Sequence, residues 1–439
     1  MRLGLLKFGT KSEKELLMKR LIIRFVGIVV ATLVSSASFG KSELNSMCYL
    51  EEKPGAKVEG DGAQNMFEIA SVSKIVTSFW AINKFGPNYR FTTRIYIDAV
   101  TSDTYDVHIG GGWDPYFGRE MTHYLFSELQ KSGVHKIRNL TFDEDFTLFW
   151  SVREKPTWSI DPTSRDITGT LKQKLKFNSS EYTATRLQAL KIGIKMEPRL
   201  DSRIANVDFL SKNAFNPTAT TRSFELHSAP LHSYLKEMNR NSNNHVADHL
   251  FDLLGGATQF QAFIKTRLDL DPNDIRLLNG SGDRIFVKDE RDHSMKVYNE
   301  ASCEALVNVI SGIRIDLRKS NYDIQNIMAV SGMDPGTTLG GRYSSKQMSG
   351  AVVAKTGSVD PAIALAGMIS TEQGNVYFGI LYKTRSPSDW PNARNQIRDN
   401  VAGLMNKFGG KNALDDYSST MFLPFDEGSQ LAEIFPRRP

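Results

Sequence analysis

Residues Glu68–Ile82 read EIASVSKIVTSFWAI, which sets a serine three positions ahead of a lysine at the head of an apolar helical pattern. Side chains three apart share one face of a helix, so Ser71 and Lys74 meet if this segment is helical. A hydroxyl is a poor nucleophile until a neighbouring base takes its proton. A lysine is a base only when neutral, which requires burial or nearby positive charge. A fold that uses the pair must therefore bury the start of this helix, and Ile75, Val76, Phe79 and Trp80 supply the apolar surface for it. Ser73 lacks the partner, because Val76 stands three residues on. The competing reading is an N-cap serine followed by a surface lysine. It has weight, since the same spacing recurs at Ser38–Lys41 and Ser233–Lys236.

Two further clusters shift the balance. Ser242–Asn243–Asn244 lies in the turn between two helical stretches, where a second hydroxyl and an amide can relay a proton and hold a substrate amide. Lys355–Thr356–Gly357 ends the apolar strand AVVAKTG. A lysine on an edge strand supplies fixed positive charge for a carboxylate, Gly357 allows close backbone approach, and the Ser358 N–H can join that of Ser71 in an oxyanion site. Ser-Asn-Asn is also ordinary turn composition and Lys-Thr-Gly an ordinary strand end. It is their order, each on a suitable element, that favours a nucleophile at Ser71.

The net charge of +5 resides at the head of the chain. Residues 1–40 hold seven Lys/Arg and two acids, leaving 47 of each sign in the rest. A neutral body gives no electrostatic reason to expect nucleic acid or an anionic membrane as partner. Lys19 and Arg20, the apolar run Leu21–Val34 and the small residues Ser35–Ser38 and Gly40 have the layout of a secretory signal peptide cut near Ala37 or Gly40. Met18 is an alternative start that would remove residues 1–17. The apolar run is short for a membrane span, so no stable span is expected after processing. Export permits a disulfide, and the sequence leaves open whether Cys48 and Cys303 pair.

The texture divides the rest into a body at 41–90 plus 226–439 and a strand-rich insertion at 91–225, with one helical stretch near Arg119–Lys131. GAVVAKTG, AIALAGMIS and NVYFGILYK read as consecutive strands, NARNQIRDNVAGLMNKFGG as a helix, and the tail from Lys411 as irregular.

Ser71-x-x-Lys74, Ser242-x-Asn244 and Lys355-Thr356-Gly357 together resemble the signature of penicillin-recognising acyl-serine enzymes. Further stretches, SVSKIVTSFWAINKFGPNYRFTT, GGGWDPYF, PLHSYLKEMNRNSNNHVADHLF, LNGSGDRI and GTTLGGRY, resemble the class C low-molecular-mass penicillin-binding proteins. This is the D-alanyl-D-alanine carboxypeptidase/endopeptidase group typified by penicillin-binding protein four, and the likeness runs over roughly residues 45–408.

The resemblance implies an α/β (α+β) fold, with an antiparallel sheet flanked by helices and a domain inserted between the first two motifs. It implies Ser71 as nucleophile, Lys74 as acylation base, Ser242 as proton relay and Asn244 as orienter of Lys74 and substrate. Lys355 and Thr356 would recognise a carboxylate, with Gly357 and Ser358 lining the site and the N–H groups of Ser71 and Ser358 forming the oxyanion hole. No metal or organic cofactor is implied. The implied partners are peptidoglycan stems or cross-links, with β-lactams as covalent inhibitors, and together with the signal layout the expected location is the periplasm.

Two departures from the family pattern stand out. The insertion has 135 residues, short for two domains, which suggests that the smaller one is missing and the cleft open to cross-linked substrate. Arg284 is displaced by one position from the family's Gly-Ser-Gly-Leu-Ser-Arg pattern, which removes the basis for giving it a diaminopimelate-binding role. Three rivals remain. A zinc peptidase on His245 and His249 lacks the glutamate that would follow the first histidine. A non-catalytic peptidoglycan binder and a β-lactamase-like hydrolase are separated from a peptidase by kinetics on peptide and penicillin. Within the family, endopeptidase cleavage of cross-links is favoured over carboxypeptidase trimming.

Overall fold

The computed structural model describes residues 45–150, 165–176, 178–289 and 291–434. The signal segment expected over 1–40 lies outside them.

The three apolar runs near the end of the chain form adjacent antiparallel strands, Val352–Val359, Ala362–Thr371 and Gly374–Lys383. The middle one is buried at every position, which is why its sequence is continuously apolar rather than alternating. Two-residue turns at Asp360–Pro361 and Glu372–Gln373 fix the register. The N-terminal strand Asn45–Glu51 adds beside Gly374–Lys383, and Glu59–Asp61 and Ala329–Val330 close the two edges of a six-stranded antiparallel sheet. On one face lie the helices Ser73–Phe85 and Cys303–Arg318, and on the other Trp390–Lys407. The expected α+β architecture is present.

Cys48 and Cys303 pair in a disulfide with Cα atoms 5.9 Å apart, which settles the point the sequence left open. The bond ties the first strand to the helix beneath it, and both residues are fully buried.

A second six-stranded sheet is built mainly from residues 92–227, and among the described residues its buried apolar side chains form one cluster of their own. Its strands Thr104–Gly110, Lys136–Phe142 and Arg203–Phe209 are parallel, so helices must carry the chain back between them. Arg119–Lys131 makes one crossover, where the sequence indicates it. Arg165–Lys174 and Ser179–Lys191 lie on the next, and the strand-rich reading did not foresee them. The second of these buries only Tyr182, Thr185 and Ala189, too few apolar contacts to leave a helical period in the sequence.

The tail also departs from the 226–439 boundary. Leu423 and Phe425 enter the core of the second sheet, Phe425 stacks on Tyr124 with ring centres 4.3 Å apart, and Ala432–Ile434 pairs with Arg222–His227. Among the described residues, no helix is long and apolar enough to cross a membrane.

A disulfide stabilises chiefly by restricting the unfolded chain, more so for a long loop, and this one spans 255 residues. Replacing both Cys48 and Cys303 by alanine is expected to cost roughly 2–5 kcal/mol. The check is the urea midpoint of the double variant against the oxidised wild type.

Candidate active site

Ser71 stands on a single 3₁₀ turn, Ala70–Val72, that leads into the Ser73–Phe85 helix. The helix start carries no side-chain cap, so Ser71 is not acting as an N-cap. Ala70 has φ +47°, a left-handed conformation uncommon outside glycine. Two glycines press on this turn. A Cβ at Gly282 (φ +76°) would lie 1.9 Å from the Ala70 carbonyl oxygen, and one at Gly357 would lie 2.6 Å from that of Ile69. The turn is thus held between the Gly280–Gly282 loop and the Val352–Val359 strand, and only glycine permits either approach.

Every residue from Ser73 to Ile82 is buried, Lys74 among them. Its Nζ donates to Ser71 Oγ at 3.0 Å, Asn244 Oδ1 at 2.7 Å and the Ser281 carbonyl at 2.9 Å. Burial lowers its pKa to about 7, against the opposing pull of Asp248 and Asp283. Asn244 is held at the first turn of the Asn244–Leu254 helix, which Asn243 caps by accepting from the Val246 N–H. One helical turn on, Asp248 accepts from the Ser281 N–H at 2.8 Å and so fixes the carbonyl that Lys74 uses.

Ser242 ends the preceding helix, Leu231–Asn241, in the left-handed conformation (φ +56°). Its Oγ accepts from Lys355 Nζ at 2.9 Å, and Lys355 donates again to the Thr356 carbonyl at 2.8 Å. Lys355 is buried, and burial first and the charge of Lys74 second push its pKa well down. It faces Ser242 rather than open space, so it is not the exposed fixed charge that its strand position suggests. The short strand Ala329–Val330 pairs only with Ala354 and Val353, which leaves the edge beyond Lys355 open.

All eight residues singled out in the sequence converge on this region. A cavity of about 410 Å³ is lined by Ser71, Ser242, Thr356, Gly357 and Ser358, while Lys74, Asn244 and Lys355 stand behind its wall. Sequence reasoning missed Thr338, which accepts from Thr356 Oγ1 at 2.9 Å, and the cavity-lining Arg342 and Arg394. It also missed Asp248, although four-residue spacing from Asn244 puts both on one helix face. Arg284 is exposed, lies over the Phe286 ring and does not line the cavity. His249 is engaged elsewhere, with Nε2 3.0 Å from the Trp113 carbonyl.

The D-Ala-D-Ala carboxypeptidase 3 (S13) family model matches residues 53–189 and 163–404. Among solved structures, Bd3459, a predatory peptidoglycan endopeptidase from Bdellovibrio bacteriovorus, is 36% identical. The match covers 90% of this chain and 100% of that one, with a TM-score of 0.81. A structure of Bd3459 acylated by penicillin G is likewise 36% identical. Bd0816, a predatory endopeptidase from the same organism solved with the immunity protein Bd3460, is 34% identical over 89% of this chain and 100% of its own, with a TM-score of 0.81. Penicillin-binding protein 4 of Haemophilus influenzae shares the fold at 17% identity, over 84% and 97% of the two chains, with a TM-score of 0.54. No curated protein matches the chain.

The glycine clamp is testable on its own. Gly282→Ala is expected to cost about 1–3 kcal/mol of stability through backbone strain. By displacing the Ser71 turn it should also slow acylation by benzylpenicillin roughly 100-fold. Thermal melts and stopped-flow acylation check the two effects, and wild-type values for both would mean that the turn is not clamped there.

Proposed function

The chain belongs to the D-Ala-D-Ala carboxypeptidase 3 (S13) family of serine peptidases, and from that premise we propose that it is an exported DD-endopeptidase opening D-alanyl cross-links of peptidoglycan. The observation that carries this reading is the buried Lys74 amine 3.0 Å from Ser71 Oγ, with a pKa lowered to about 7. At neutral pH a large share of it is neutral and can accept the serine proton.

In this reading Ser71 Oγ attacks the carbonyl of the D-alanine before the scissile bond and passes its proton to Lys74. The N–H groups of Ser71 and Ser358 receive the charge that develops on the carbonyl oxygen. Ser242 gives a proton to the leaving nitrogen and takes in return the one Lys74 removed from Ser71, which leaves Lys74 neutral again, while Lys355 Nζ, 2.9 Å away, holds the Ser242 hydroxyl in place. The C–N bond breaks, the amine departs and an ester remains on Ser71. Asn244 holds Lys74 and the acyl side, and the Thr356 hydroxyl meets the carboxylate of the leaving residue. Water then attacks the ester carbonyl, the neutral Lys74 taking its proton, and as the C–O bond to Ser71 breaks Lys74 returns that proton to Ser71 Oγ, so that both residues are restored.

Endopeptidase action is preferred over carboxypeptidase trimming because Bd3459 and Bd0816 are both endopeptidases. The one buried cluster found among the described residues of the insertion supports the reduced insertion expected from its length, which suits a polymeric substrate. Acylation by penicillin is proposed by analogy with Bd3459. The signal-like residues 1–40 support a periplasmic location. A non-catalytic binder would have no use for a desolvated lysine beside the serine.

Intact-mass analysis with benzylpenicillin should give one covalent adduct on the wild type and none on Ser71→Ala, which should also lose cross-link cleavage by roughly 10⁴-fold or more. An adduct retained on the variant would move the nucleophile elsewhere, and rapid penicillin turnover would favour the β-lactamase-like alternative. The pH profile tests Lys74. Because the neutral amine is the active form, kcat/KM should fall about tenfold per pH unit below a limb near pH 7 and level off above it. A limb near 10 would mean an ordinary, solvated lysine.

A further inference from the structure

On a strand, residues two apart point the same way, so Thr356 and Ser358 share a face while Lys355 turns to Ser242. The hydroxyl face opens into the cavity, and its far wall comes from the 338–343 loop and the Trp390–Lys407 helix. Two guanidinium groups stand there. Arg394 is half-buried, packs over the Trp390 ring at 5.2 Å and donates from Nη2 to Ser358 Oγ at 3.1 Å. Arg342 projects from the loop.

Among the described residues neither makes an ion pair, and no aspartate or glutamate lines the cavity. Arg398, on the same helix, is paired with Asp399. Arg394 feels its neighbour, since burial first and the charge of Arg342 second lower its pKa. Arg342 is exposed, but a second positive charge beside the half-buried, unpaired Arg394 is unfavourable, and a bound anion removes that penalty. The planar fork of arginine suits a carboxylate in particular. The cavity also contains Ser71 and Ser242, so this anion would belong to the substrate in reaction rather than to a remote site.

We propose that Arg342 and Arg394 form a specificity subsite for a second carboxylate on the leaving side of the scissile bond. The inference rests on the peptidase reading above and extends it. The carboxylate next to the departing nitrogen stays at Thr356, and a further one, carried by the same residue or the stem it belongs to, reaches the arginines. The preferred leaving group is therefore an amine bearing two carboxylates, as an acidic cross-linked stem provides, rather than a lone D-alanine.

The test uses the mature protein and two synthetic peptides with an identical diacetyl-L-lysyl-D-alanyl acyl side, one ending in D-glutamate and the other in D-glutamine. The pair differs by one carboxylate at nearly constant shape. Wild-type kcat/KM should favour the D-glutamate peptide by about tenfold or more, since one unit of pairing energy near 1.4 kcal/mol is a factor of ten. In Arg342→Gln and Arg394→Gln the ratio should fall, and in the double variant it should approach one. A ratio taken within one protein cancels differences in folded fraction, and benzylpenicillin titration counts competent sites in each preparation. A wild-type ratio near one, or variants that keep the wild-type ratio, would overturn the proposal. A wild type that neither cleaves the peptides nor forms the Ser71 adduct would bring down the peptidase reading itself, and the subsite with it.

Discussion

The arrangement depends on taking one amine out of water. A buried ammonium is costly unless it is well bonded, and at Lys74 the protein answers the cost in two ways. It lets the proton leave near neutrality, and it offers three acceptors, Ser71 Oγ, Asn244 Oδ1 and the Ser281 carbonyl. Each comes from a different part of the chain, the most distant 207 residues away. Meeting them requires the Ser71 turn, the Asn244 helix and the Gly280–Gly282 loop to be fixed together. The glycine contacts around Ala70, the cap at Asn243 and the Asp248–Ser281 bond each secure one of them. The folded core and the chemistry thus share one origin.

A second buried lysine adds a like charge to the site. Lys355 sits behind Ser242, and its shift reflects burial and then the charge of Lys74. A proton on one amine disfavours a proton on the other, so the two belong to one coupled titration. Asp248 counters part of this, since it raises the pKa of Lys74, while burial raises its own. With its pKa lowered to about 7, Lys74 can take a proton and give it up near neutrality, which suits a reaction that removes a proton from Ser71 and returns one to a leaving amine.

Much of this is legible in the sequence, and the exceptions have physical causes. The strands from Val352 to Lys383 are legible because burial on both faces leaves continuous apolar runs bounded by short turns. The helix at Arg119–Lys131 announces itself by apolar residues at helical spacing, Met121, Tyr124, Leu125 and Leu129. Ser179–Lys191 does not, because little of it is buried, and the tail at 423–434 does not, because its partner strand lies some 200 residues earlier and leaves no local pattern. At the site, the hydroxyl, amide and lysine positions stand out because three short clusters recur in a set order. Arg342 and Arg394 do not, since a single arginine in a loop or on a helix reads as solvated surface until the fold brings two to one cavity.

The tail also bears on how the inserted body is held. The chain leaves the main body at Phe91 and returns to it at Ser228, and these two residues bond to each other, Ser228 N–H to the Phe91 carbonyl and Phe91 N–H to Ser228 Oγ. Two adjacent strands alone would make a hinge. The tail crosses the same place a third time. Asp426 takes a bidentate bond from Arg90, the Ala229 N–H donates to the Pro424 carbonyl, and Phe425 goes on to the second core. A third strap at this junction resists rotation that two adjacent strands would allow. The helix that starts at this junction, Leu231–Asn241, ends at Ser242, and Tyr234 within it bonds Asp114 of the inserted body at 3.1 Å. A rotation of the inserted body would therefore act on the helix that aims the Ser242 hydroxyl. The tail strap serves the geometry of the site as much as the cohesion of the fold.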